Sequence, residues 1–148
     1  MVMAVSQFER LFREAASLDI DKSDIKRLED FVNARLHALL VAGQARAKQE
    51  GRDLIDVHDV VVTEGLKENI RRFRAMDEAL ALAPILERLS TLPPLNLGYT
   101  AALEAAIPEI VGGITVGLAR VFRVLDAEMK NPMAQHWAEA EEIYAILW

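Results

Sequence analysis

The 148-residue chain is long enough for one well-cored domain or two closely packed halves. At 52% hydrophobic and 27% charged it has the balance of a globular protein rather than a disordered one. The absence of cysteine excludes disulfides, thiolate catalysis and thiolate zinc sites, and fits a reducing cytoplasm. The net charge of −6 argues against a polyanionic partner. It is carried by the second half: residues 1–76 hold 13 basic and 13 acidic side chains, residues 77–148 hold 4 and 10.

In chain order, Phe8, Leu11, Phe12 and Ala15 predict a short amphipathic helix, with Glu9 arriving too early for a secretion-signal core. Near LDID this helix ends. Asp21 is placed to cap the next, with Asp24 three residues on as in a capping box. From Lys22 to Glu50, apolar residues recur at Ile25, Leu28, Val32, Leu36, Leu39 and Gly43. Phe31, Ala34, Ala38, Val41 and Ala45 form a second strip beside them. A long helix that is apolar over two faces is expected to be packed from both sides. Gly51 then stops it as a left-handed cap. Asp56 restarts a short helix with Asp59 near its positive end, while β-branched Val60–Val62 can run extended. Residues 66–82 read as a further helix with Leu66, Ile70 and Phe73 inward.

The order then recurs. Residues 84–91 predict a short helix, Pro93-Pro94 a loop, and Tyr99–Glu128 a second long helix with its stripe at Leu103, Ile107, Ile110, Ile114, Leu118, Val121 and Leu125. Within it, residues 101–119 come nearest to a membrane span, but Glu104, Pro108 and Glu109 point to a buried core helix. Gly112, Gly113 and Gly117 cost about 1 kcal/mol each in a helix interior. They are expected where the two long helices cross. Asn131-Pro132 reads as a cap and first helical residue, and Met133, Trp137, Ala140, Tyr144 and Leu147 line a closing helix. Short, long, short, twice, is a repeat of architecture; the residue identities of the halves do not align.

The stretch GRDLIDVHDV (51–60), with Gly51-Arg52, an aliphatic Ile55 and Asp59, resembles the second loop and third helix of histones, archaeal ones above all. IDKSD (20–24) resembles their first loop. The resemblance implies that Arg52 pairs with Asp59 and that Ile55 turns into the core. Leu54 departs from the threonine usual there, and the second half lacks the Gly-Arg…Asp pattern. The whole chain resembles bacterial tandem, single-chain histone-fold proteins. That implies an all-α pseudo-dimer with halves at 1–65 and 84–148 and a connecting helix at 66–83, in one domain.

Histone-type DNA binding uses basic residues where the first loop of one half meets the second loop of the other. Here Lys22 shares its loop with Asp19 and Asp21, and Lys130 shares its own with Asp126 and Glu128. Lys48 and Arg52 stand with Glu50 and Asp53. These sites are neutral or acidic, so tight phosphate neutralisation is not expected. The densest basic run is Lys67, Arg71, Arg72 and Arg74; Lys67, Arg71 and Arg74 share a helical face that could touch a phosphate backbone. The plainer reading is a solvated face with a Glu68–Arg72 pair. His37, His58 and His136 are scattered, and His136 with Glu139 or Glu142 offers too few ligands for a metal site. DIDKSD (19–24) lacks the glycine and terminal glutamate of a calcium loop. No catalytic constellation, cofactor motif or small-molecule site is legible. Two functions follow as expectations: a non-catalytic protein-interaction or self-associating module, or a weakly DNA-binding, nucleoid-type protein.

Overall fold

The structure, a computed structural model, describes residues 2–80 and 95–147. It is mostly helical, as an all-α protein should be. The described elements are helix α1 (Val2–Ala16), helix α2 (Lys22–Gln49), strand β1 (Leu54–Ile55), a 3-10 turn (Val57–Asp59), helix α3 (Glu64–Leu80), strand β2 (Gly98–Tyr99), helix α4 (Ala101–Leu125) and helix α5 (Ala134–Leu147). The short helix expected over residues 84–91 lies outside the described residues.

The helix ends follow local chemistry. Asp21 accepts the Ser23 N–H at 3.0 Å while Asp24 accepts the Asp21 N–H at 3.0 Å, a full capping box on α2. Gly51, at φ 71°, turns the chain out of α2 through a conformation that costs a side-chain-bearing residue more. Asp56 and Asp59 repeat the box. They open only a three-residue 3-10 turn, because the chain returns to extended backbone at Val60. Thr100 caps α4 by accepting the Leu103 N–H at 3.1 Å.

Packing centres on α4. It is buried almost continuously from Ile110 to Ala119, and its most extensive contact is with α3. By length and composition α4 could cross a membrane, but two-thirds of its most apolar window is buried within the protein. It lies in one core with Phe8, Leu11 and Phe12 of α1, Leu28, Phe31 and Leu36 of α2, and Leu66, Ile70 and Phe73 of α3.

Several expectations are corrected. Gly112, Gly113 and Gly117 do not mark the crossing of the two long helices. Gly112 faces the Phe73 ring, Gly113 faces Ile70 and Leu66, and Gly117 faces Asn69 and Tyr144. The small residues admit α3 and the Tyr144 side chain of α5, since bulky side chains on α3 need the space. Of the second strip on α2 only Phe31 is buried; Ala34, Ala38, Val41 and Ala45 are exposed. Periodicity alone could not tell an alanine-rich solvent face from a packed one. Asn131-Pro132 precedes α5 without starting it. The buried His136 instead accepts the Met133 N–H on Nδ1 at 2.8 Å, one turn later. Along α5 only Trp137 and Ala140 of the expected stripe are fully buried, and Met133 and Leu147 are exposed.

Candidate nucleic-acid interface

Two loop pairs and one helix face hold every basic residue singled out from the sequence. In the first loop pair, β1 and β2 run parallel, with Leu54 beside Gly98 and Ile55 beside Tyr99. Ile55 is fully buried and its carbonyl accepts the Thr100 N–H at 3.0 Å, whereas Leu54 faces outward. The Thr100 hydroxyl donates to Asp56 at 3.0 Å, and Gln44 of α2 accepts the Leu97 N–H at 2.9 Å. In the second loop pair, the Asp19 N–H donates to the Lys130 carbonyl at 2.7 Å. Arg123 clamps the same junction, donating to the carbonyls of Ala16, Ser17, Asp126 and Ala127.

Arg52 and Asp59 form a two-pronged ion pair. Nη1 donates to Oδ2 at 2.8 Å and Nη2 to Oδ1, while Asp59 also accepts the Asp56 N–H at 2.8 Å. Asp59 is 1% exposed, so only a fixed guanidinium makes its charge tolerable there. That hydrogen bond holds its carboxyl well below the ordinary carboxylate range, and the guanidinium is held correspondingly more firmly protonated. Glu50 takes the remaining edge of Arg52 at 2.7 Å. Glu50, His58 and Asp59 bring ligand-type atoms within 4.8 Å of one another. Arg52 already stands against both carboxylates, so the cluster is an ion-pair network in which a cation's place is taken.

The basic residues of α3 are paired in the same way. Lys67 meets Glu64 at 3.1 Å, Arg74 meets Glu109 of α4 at 2.7 Å, and Glu68 receives Arg71 at 2.6 Å and Arg72 at 3.2 Å. Glu68 is lowered to about 2, first by its hydrogen bond from Arg71. Lys22 and Lys48 are exposed, and neither has an ion pair among the described residues. They sit at different loop pairs, Lys22 beside Asp21 and Lys48 beside the Glu50–Arg52 cluster. No continuous basic stripe joins the candidate residues.

Sequence reasoning missed the clamps between loops. Thr100 to Asp56 and Arg123 to the end of α1 link residues too far apart for any spacing rule. The available signal was that Arg120 and Arg123 are two of only four basic residues in an acidic half.

Residues 8–145 match the family model described as a domain of unknown function (DUF1931). Two uncharacterised proteins of Aquifex aeolicus are similar. One is 26% identical over 124 residues, covering 84% of this chain and 72% of that protein; the other is 29% identical over 143 residues, covering 88% and 83%. A crystal structure of a Thermus thermophilus protein superposes with a TM-score of 0.87 at 44% identity over all of both chains. A crystal structure of an Aquifex aeolicus protein superposes at 0.84 and 22% identity, over 98% and 95% of the two chains. The chain belongs to the DUF1931 family.

Proposed function

We propose that the chain is a tandem histone fold whose two halves pair within one polypeptide, and that it acts as a non-catalytic protein-interaction module without wrapping DNA. The fold reading is supported by reciprocal loop pairing. The loop after α2 lies parallel to the one before α4, and the loop before α2 is hydrogen-bonded to the one after α4. This is how two histone-fold halves would meet, with the divisions at 1–65, 66–83 and 84–148. The functional reading rests on charge. Every basic side chain of α3 singled out for DNA is already engaged by a carboxylate, and each loop pair carries at least as many acidic as basic groups. Non-specific DNA affinity comes from phosphate neutralisation, and tight binders make about six to ten such contacts. Lys22 and Lys48 fall far short. The surface available to a protein partner or a second copy is the exposed face of α2 at Ala34, Ala38 and Val41, where Ala38 borders a groove with Leu39, Ala42 and Val61.

The deciding measurement is a titration of random-sequence duplex DNA at low and physiological salt. Weak binding that vanishes at physiological salt is expected. Submicromolar binding at physiological salt, abolished by Arg52→Ala with Lys48→Ala, would make the protein a DNA-binding histone.

A further inference from the structure

Beside the second loop pair, α1, α3, α4 and α5 border an open groove of about 520 Å³, within the range of small-molecule sites, roughly 300–1,000 Å³. The missing side chain at Gly117 is what admits Asn69 and Tyr144, two of the residues that line it. A β-carbon there would stand 2.7 Å from the Asn69 amide nitrogen and 2.9 Å from the Tyr144 hydroxyl. The walls are largely apolar, with Ala15, Val121, Leu125 and Ile143 among them. An adjoining recess of about 200 Å³ shares Asn69, Val121, Ile143 and Tyr144 with it and extends to Leu66, Gly113 and Ile114. From Gly113 to Arg120 the two adjoining recesses together span about 10 Å of α4 at ~1.5 Å per residue, the length of a medium-chain acyl tail.

The polar end is cationic in an otherwise acidic half. Arg120 and Arg123 both line the cavity, and neither has a carboxylate partner among the described residues. Arg123 spends its donors on backbone carbonyls, but among the described residues Arg120 makes a single hydrogen bond, from Nη1 to Asn69 Oδ1 at 2.7 Å. Glu14 lines a recess that Arg120 also borders and makes no ion pair with it. A half-buried guanidinium with a planar fork of unused donors suits a carboxylate. Tyr144 is held edge-on against Phe31 with ring centroids 4.8 Å apart. Burial pushes its hydroxyl up to about 12, so the wall presents a neutral group rather than a second anion.

We propose that the groove between α3, α4 and α5 binds an amphipathic monocarboxylate, with its headgroup on Arg120 and its aliphatic tail running toward Leu66 and Ile114. The inference does not rest on the histone-fold reading: its headgroup partner is Arg120, and Arg123, which clamps the second loop pair, only borders the groove.

Decanoate, below its micellar concentration, is titrated calorimetrically into the full-length protein, with decyltrimethylammonium and acetate as probes of tail and head alone. Saturable one-to-one binding of decanoate is expected, at least tenfold tighter than either control. Arg120→Gln should weaken it at least tenfold, and Arg120→Lys, which keeps the charge but not the fork, should fall between. Circular dichroism checks that each variant is folded, and Arg120→Lys alone suffices if Arg120→Gln is not. Equal binding of the cationic detergent, or decanoate binding unchanged in the folded Arg120 variants, would overturn the proposal. So would an absence of decanoate binding together with a concentration-dependent mass that these variants abolish, which would make the groove a contact between copies.

Discussion

Gly113 of α4 lies directly against Ile70 of α3: a β-carbon on Gly113 would stand 2.5 Å from Ile70 Cγ1 and 3.1 Å from the Ile70 backbone nitrogen. Backbone cannot swing aside as a side-chain tip can, so Gly113→Ala should lower stability. Overpacking of this kind costs about 1–3 kcal/mol, more than the ~1 kcal/mol of helix propensity that alanine returns. Gly65, with nothing within 4 Å of a built β-carbon, is the control; Gly65→Ala should stabilise by about 0.4–1 kcal/mol. Urea midpoints moving in opposite directions would bear this out, and a Gly113→Ala protein as stable as the wild type would show that the helices stand further apart.

Asp59 accepts the Asp56 N–H as the reciprocal half of the capping box and pairs with Arg52, so Asp59→Ala should cost at least the ~1 kcal/mol of a lost cap. Arg52→Ala should also destabilise, because it strands a buried carboxylate. Adding Asp59→Asn to Arg52→Ala removes that stranded charge. The double mutant should therefore unfold at higher urea than the summed losses of the Arg52→Ala and Asp59→Asn single mutants predict. Strict additivity would mean the pair contributes nothing as a pair.

Stability should fall in acid. Asp59 and Glu68 both have folded values below their unfolded ones, Glu68 at about 2. Such groups stabilise the fold above the unfolded value and lose that contribution as pH drops toward the folded one, here from about 5 downward. Asp24 runs the other way, because burial raises it and its ionisation costs stability as pH rises through its folded value. Asp24→Asn, which keeps an acceptor for the Asp21 N–H, should be at least as stable as wild type at pH 7. Asp59→Asn should flatten the acid limb of melting temperature against pH, and an unchanged limb would remove Asp59 from the account.

Glu68 is the shared partner of Arg71 and Arg72. Glu68→Gln frees both and should raise DNA affinity at low salt, with a steeper dependence of binding on salt concentration. Fluorescence anisotropy with one labelled duplex measures both quantities. No change in slope would show that this face does not meet DNA at all.

Residues 1–80 alone should not melt cooperatively as a monomer. Leu66, Ile70 and Phe73 of α3 are buried against Gly112 and Gly113 of α4, which that fragment lacks. A sharp, concentration-independent transition in circular dichroism would refute the mutual dependence of the two halves.

The sequence by itself determined the helical class, the capping boxes at Asp21–Asp24 and the left-handed stop at Gly51, because these depend on neighbours within a few residues. Arg52 and Asp59 were legible through resemblance, being seven residues apart on one loop. Tertiary structure decided the rest. Whether Ala34 and Ala38 face solvent or core, whether Gly113 admits α2 or α3, and whether Arg71 is free or paired depend on what arrives from elsewhere in the chain. Small and charged residues are compatible with either outcome in one dimension. The groove beside Arg120 was the least legible of all: Asn69 and Tyr144 reach it only because Gly117 has no side chain, and its walls come from four helices that only packing brings together.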